Sequence, residues 1–223
     1  MFSVCSNNYF EVARALRVAS DRMNCNFADV LVTSIFLAGF FTGQGIKRKT
    51  IMSLCLTMGL RDGPGEDRIL GWFSDVRYRD FPCPRQITFV GLVNAVGAAI
   101  KERDFCPAQN HDGIYWRERG EFVQVNLIPY AESAGERIVE LIPECWRFFN
   151  HGRNEDQIAN VYAQEVYRDN WRLRIFFNPY MSPGNASGRF DFYLRDVLKK
   201  AITNPLIPVW DILENRMPSV YAR

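Results

Sequence analysis

Apolar residues recur along this chain with two periods, 3.6 and 2, and the switches between them mark out a series of elements. Val12, Leu16, Ala19 and Met23 share one helical stripe, which predicts a first helix over about Asn8 to Arg22. Asn26 is placed to cap a second helix that runs to about Thr42 and stops at Gly43 and Gly45. That helix is apolar around most of its circumference, so it is expected to be buried. Lys47 to Leu60 alternates as a strand, with Ile51, Ser53, Cys55 and Thr57 on one face and Met52, Leu54, Leu56 and Met58 on the other. The face rich in Met and Leu is expected to meet helices.

Gly63, Pro64 and Gly65 make Arg61 to Arg68 a loop. A short strand is expected around Gly71 to Tyr78, and Pro82-Cys83-Pro84 blocks regular pairing after it. Phe89, Leu92, Val93, Val96 and Ile100 mark a third amphipathic helix, and Phe122 to Ile128 reads as an inner strand apolar on both faces. Tyr130 to Asn154 is irregular and holds an aromatic cluster, Trp146, Phe148 and Phe149. Ile158 to Tyr167 and Trp171 to Phe177 flank Asp169-Asn170 as a hairpin, with Trp171, Leu173, Ile175 and Phe177 on one face. In the last helix Phe190, Tyr193, Leu194, Val197, Leu198 and Ala201 oppose Arg189, Arg195, Lys199 and Lys200. Past Asn204-Pro205 the chain reads as a departing linker, which divides it into a folded unit over 1–204 and a linker over 205–223. The order of elements describes one α/β sandwich, a mixed sheet with covering helices.

Composition narrows the function classes. With 48% hydrophobic residues and a net charge of +2 over 223 residues, the chain is neither disordered nor charged like a dedicated nucleic-acid binder. Val30 to Phe41, the most apolar stretch, is shorter than the ~18 residues a membrane span needs. No basic start followed by an apolar run opens the sequence, so a cytoplasmic location is expected. The six cysteines, at 5, 25, 55, 83, 106 and 145, form no metal-ligand spacing and read as reduced thiols, and no metal site is expected. Asn185-Ala186-Ser187 is then a chance sequon.

The generic chemical motifs are weak. Gly43-Gln44-Gly45 lacks the third glycine of a dinucleotide fingerprint and follows a helix where that motif must follow a strand. Trp146-Arg147 and Trp171-Arg172-Leu173-Arg174 interleave rings and cations as single-strand binders do, and strand alternation accounts for the same pattern. The only histidines are His111 and His151. His111, beside Asp112, is a candidate acid-base residue or a plain loop histidine.

Met58-Gly59-Leu60-Arg61 followed by Ile69-Leu70-Gly71-Trp72-Phe73-Ser74-Asp75 resembles the C-terminal half of condensation domains from nonribosomal peptide synthetases. In that family a strand ends in a Gly-Arg element and the next opens with [IV]-G-x-F-V-N-T. Leu70, Gly71 and Phe73 match, whereas Ser74, Asp75 and Val76 replace Val, Asn and Thr. Asn110-His111-Asp112-Gly113-Ile114-Tyr115 is similar to [HN]-Q-D-x-P-F without its Gln and Pro. Thr203-Asn204-Pro205-Leu206 is similar to the closing R-N-P-L without its Arg. Thr42-Gly43-Gln44 is similar to the T-G-Q that ends the family's early helix. Together these span about Asn7 to Asp211.

The resemblance implies one lobe of a chloramphenicol-acetyltransferase-like fold, with the reaction in a tunnel between two lobes. An acceptor amine attacks a donor thioester, both substrates hanging from the phosphopantetheine arms of carrier proteins, with no cofactor bound directly. The family's H-H-x-x-x-D-G motif belongs to the N-terminal lobe and is absent from this sequence. By resemblance Arg61 pairs with the Asp of that motif across the lobe boundary, Gly71, Trp72 and Phe73 wall the tunnel, and Asp75 stands where an Asn would. Each also has a plain reading: a surface Arg, a strand start packed on the core, and a salt bridge from Asp75 to Arg77 or Arg79. Trp146, Phe148 and Phe149 correspond to the segment that crosses to the other lobe, and partial exposure of at least one is expected. The implied partners are the missing lobe and carrier proteins, with no nucleic acid and no membrane. A binding or scaffolding lobe that docks a carrier protein without catalysis is the alternative.

Overall fold

The computed structural model describes residues 3–8, 10–43, 51–59, 74–82, 87–103, 106–107, 121–128, 157–167, 170–178 and 184–213. Helix α1 spans Phe10–Met23 and α2 spans Phe27–Thr42, with Asn26 Oδ1 accepting the Ala28 N–H at 2.9 Å as the expected cap. From Val30 to Thr42 every residue of α2 is buried. The remaining helices among the described residues are α3 (Phe89–Glu102), α4 (Ala186–Thr203) and the short α5 (Val209–Leu213). Thr88 and Asn185 cap α3 and α4 through the Gly91 and Gly188 N–H groups. Arg103, in the left-handed region at φ 54°, ends α3.

Among the described residues seven strands form one sheet: β1 (Ser3–Asn8), β2 (Ile51–Gly59), β3 (Ser74–Pro82), β4 (Cys106–Pro107), β5 (Phe122–Ile128), β6 (Gln157–Tyr167) and β7 (Asn170–Phe177). Their order is β1-β7-β6-β5-β2-β3-β4. The β2–β5 and β5–β6 pairs are parallel and the others antiparallel, so β1, β2, β4, β5 and β6 run one way and β3 and β7 the other.

One face of this mixed sheet carries the core. Met52, Leu54 and Leu56 of β2, Val123 and Val125 of β5, Ala159, Val161 and Ala163 of β6, and Leu173, Ile175 and Phe177 of β7 join the buried faces of α1 to α4. The Met and Leu face of β2 and the Trp171-to-Phe177 face of the hairpin are both as expected from alternation. Gly39 packs directly against the sheet: a Cβ there would come within 2.8 Å of Val123 Cγ1. Among the described residues no single helix is long and apolar enough to cross a membrane.

Three strands differ from the sequence expectations. Ser3–Asn8 is a sheet-edge strand paired with β7, and the first helix starts after it, at Phe10. β3 begins at Ser74 and continues to Pro82, opposite Ile51, where its end position lets proline replace a ladder donor. β5 is apolar throughout only on its core face, since on the other Gln124 and Asn126 follow the buried Phe122.

Residues 205 to 213 of the segment expected to be a linker lie folded back on the start of α3. The Phe89 and Val90 N–H groups, which an isolated helix leaves without partners, donate to Ile207 O at 2.9 Å and Pro205 O at 3.1 Å. Val209 N–H donates to Ile87 O at 2.8 Å, and Val209 and Ile212 are wholly buried.

Candidate functional site

The sheet face turned away from the helices is built differently from the core face. Across β5 and β6 it carries a continuous chain of side-chain hydrogen bonds. Gln157 Nε2 donates to Gln124 Oε1 at 3.1 Å, and Gln124 Nε2 to Asn126 Oδ1 at 3.3 Å. Asn126 Nδ2 donates to Asn160 Oδ1 at 2.7 Å, and Asn160 Nδ2 to Tyr162 Oη at 3.1 Å. Gln157, Asn126 and Asn160 are 5%, 6% and 3% exposed, so these amides are withdrawn from water and find hydrogen-bond partners within the protein.

Strand alternation and register put them there. Gln124 stands opposite Asn160, and Asn126 opposite Tyr162. Gln157 has the parity of Ala159 and Val161 and would point into the core, but the register shifts between Phe122 and Val123, leaving Ile158 as an extra residue. That bulge turns Gln157 onto the polar face and leaves Ile158 in the core. Beside the amides, Cys55, Tyr78 and Phe122 form a second small apolar cluster separate from the main core, and Ser53 Oγ donates to Asp80. Phe176 of β7 meets the Tyr162 ring edge-on at 5.7 Å, and Arg174 stands opposite Tyr162.

The residues singled out from sequence relate to this face through the strand ends. β2, β4 and β5 run in the same direction, so the connections that follow them leave the sheet at one end. Arg61, Gly71, Trp72 and Phe73 belong to the connection after β2, Asn110, His111 and Asp112 to the one after β4, and Trp146, Phe148 and Phe149 to the one after β5. All ten lie outside the described residues, as does His151. Asp75 is in β3, opposite Met58. Tyr162 and Asn126 are the members of the amide chain nearest that same end, level with each other and two residues short of the end of β5. The ends of parallel strands are where open α/β sheets place their ligands.

Sequence reasoning passed over the amide chain. Its signal was the polar residue at every second position of two strands, Gln124 and Asn126 in β5, Asn160 and Tyr162 in β6. Among the described residues no group of His, Cys, Asp and Glu could hold a metal ion.

Solved structures match this architecture over almost the whole chain. The first condensation domain of the CDA synthetase superposes with a TM-score of 0.62 at 14% identity, over 93% of this chain and 47% of that one. The fold is that of one half of a condensation domain. Holo-AB3403, a four-domain nonribosomal peptide synthetase bound to AMP and glycine, gives a TM-score of 0.66 at 9% identity over 95% of this chain and 17% of its own. The PapA2 acyl transferase gives 0.56 at 12% identity over 90% and 44%. The chain thus spans about half the length of the condensation domains it matches. No protein-family profile matches the sequence, and no curated protein does. The condensation-domain half-fold agrees with the resemblance read from the Met58-to-Asp75 and Asn110-to-Tyr115 segments.

Proposed function

We propose that this chain is the C-terminal lobe of a condensation domain that joins carrier-tethered acyl and aminoacyl thioesters through an amide bond. The observation that carries the reading is the coverage: nearly all of this chain matches slightly less than half of a condensation domain. The helices cover one face of its sheet, and the other face, with its buried amides and the Cys55, Tyr78 and Phe122 cluster, supports a role in the wall between two lobes.

In this reading the acceptor amine forms an N–C bond to the donor carbonyl, the C–S bond breaks, and the amine proton leaves with the thiol. An imidazole that orients the amine and steadies the tetrahedral oxyanion would come from the H-H-x-x-x-D-G lobe, since that motif is not in this sequence. Arg61 would hold that loop in place from this side, Gly71, Trp72, Phe73 and Asp75 would line the acceptor side of the tunnel, and Trp146, Phe148 and Phe149 would cross to the other lobe. The substrates would arrive on phosphopantetheine arms of carrier proteins in the cytoplasm.

The test is amide formation from two carrier-loaded substrates, measured with this chain alone and then joined to a lobe bearing H-H-x-x-x-D-G. Product is expected only from the joined protein, and Arg61→Ala should slow it. Turnover by the chain alone would overturn the assignment. Tight binding of a loaded carrier protein without turnover in the joined protein would support a scaffolding lobe instead.

A further inference from the structure

Residues 205–213 form a strap that is lightly anchored. From 205 to 212 only Val209 and Ile212 are buried, and Leu206 is 68% exposed. The near end is tied to the start of α3 by main-chain hydrogen bonds, from Phe89 and Val90 N–H to the Ile207 and Pro205 carbonyls and from Val209 N–H to the Ile87 carbonyl. The far end is tied by a side chain. α5 spans only Val209–Leu213, so its last carbonyls have no partner within the helix. Lys200 Nζ of α4 reaches two of them, Asp211 O at 3.3 Å and Ile212 O at 3.4 Å, and pairs with Asp196 Oδ2 at 3.1 Å. An ammonium has three N–H donors, and these three acceptors engage all of them.

α4 closes its own end without the strap. The Asn204 N–H donates to Lys200 O, the Thr203 hydroxyl to Lys199 O, and the Arg22 guanidinium of α1 to Ile202 O. The helix also packs along α1 and α2. Lifting the strap therefore hinges after Asn204 and leaves α4 in place, while the Phe89 and Val90 donors of α3 lose their acceptors. A segment with few buried apolar side chains opens at a lower cost than the sheet beneath it. The Lys200 charge counts toward the closed form, because its pair with Asp196 is withdrawn from water, the two side chains being 17% and 15% exposed.

We propose that residues 205–213 are a strap held shut by the charge of Lys200, and that it opens as a unit, releasing the first turn of α3, while the sheet and α4 stay folded. Removing the charge takes the donor from both α5 carbonyls and leaves Asp196 a carboxylate without its ion-pair partner. These groups regain partners when the strap lifts and water reaches them, so neutralisation favours the open form. Nε-acetylation of Lys200 makes that change, which marks this lysine as a point of control over the strap.

Native-state hydrogen exchange of the full chain, followed by NMR in low concentrations of urea, tests it. The amides of Phe89, Val90 and Val209 report the strap. Those of Val161 and Ile175, paired across β6 and β7, report the sheet, and that of Val197 reports α4. In the unmodified chain the strap amides should exchange faster than the other three and respond little to urea, because their opening exposes little surface. Val161, Ile175 and Val197 should respond steeply, as groups that exchange through global unfolding do.

Lys200→Met should speed exchange at Phe89, Val90 and Val209 about tenfold to a hundredfold, the size expected for a lost hydrogen bond to a charged group, and keep their weak response to urea. Nε-acetyl-lysine installed at position 200 should do the same, whereas Lys200→Arg, which keeps the charge, should stay within about threefold of the unmodified chain. Strap amides that share the urea response of Val161 and Ile175 in the unmodified chain overturn the proposal, since the strap then has no opening of its own, and this measurement needs no variant to fold. A Val197 amide that opens with the strap, a Lys200→Met chain within about twofold of the unmodified one, or an Arg variant as fast as the Met variant overturns it equally.

Discussion

At the scale of single residues, the cost of the amide chain falls on its middle member. Asn126 gives both of its N–H groups, to Asn160 and to Val161, and accepts from Gln124. Asn126→Ala removes one hydrogen-bond partner from each of three groups, two of them on the buried residues Asn160 and Val161. A loss of about 2 to 3 kcal/mol is expected, read as a shift in denaturant midpoint without a change in slope. Asp29 and Cys25 make a second pair. Burial raises the Asp29 carboxyl above its ordinary value, and burial first, then the charge of Asp29, raises the Cys25 thiol. The folded state therefore holds the Asp29 proton more tightly than the unfolded state does. The stability this group contributes falls as pH climbs from the ordinary aspartate value through the raised one. Asp29→Asn should flatten that part of a stability–pH profile. It should also speed alkylation of Cys25 by iodoacetamide at neutral pH, because one of the two influences that suppress the thiolate is gone. An unchanged alkylation rate would mean that burial alone protects the thiol.

At the scale of elements, the two long core pieces meet at Gly39. A side chain at this position would be driven into the branched Val123, whose two methyl groups would stand 2.8 and 3.2 Å from the added Cβ. Gly39→Leu is expected to cost about 3 kcal/mol by overpacking, whatever it gains in helix propensity, and thermal unfolding measures it. This close approach was not legible in the sequence, where Gly39 is one more small residue in an apolar run. The elements themselves were legible wherever the period was clean: α2 with its Asn26 cap, the face of β2 and the β6–β7 hairpin. They were lost where local pattern does not decide. The six residues of β1 acquire strand structure by pairing with Arg172 to Phe177, a contact across most of the chain. The extra residue at Ile158 is a property of the register with β5, and without it Gln157 would have been assigned to the core. The polar face of β5 was visible as Gln-Val-Asn alternation, but its meaning depends on Asn160 and Tyr162 arriving beside it from 34 residues or more downstream.

At the scale of the whole molecule, residues 205 to 213 are part of the folded unit. The start of α3 would leave its first backbone donors without partners; the segment after α4 returns to supply Pro205 and Ile207 carbonyls, while the Thr88 hydroxyl takes the Gly91 N–H. The same segment buries Val209 and Ile212 completely, and Lys200 Nζ reaches Asp211 O at 3.3 Å to hold the turn against α4. Pro205 and Pro208 suggested a linker from sequence because proline ends helices; here those prolines shape the return path, and the backbone N–H groups they lack are not needed for it. Truncation after Asn204 removes two hydrogen bonds to α3 and the burial of two aliphatic side chains, so a loss of about 4 to 6 kcal/mol is expected. Denaturant unfolding of the truncated and full chains measures that loss, and protease cleavage within α3 should rise in parallel as its first turn loosens. The double substitution Val209→Ala with Ile212→Ala keeps the carbonyl caps and should show about half of the loss, which separates packing from capping. Equal midpoints for the truncated and full chains would place residues 205 to 213 outside the cooperative unit.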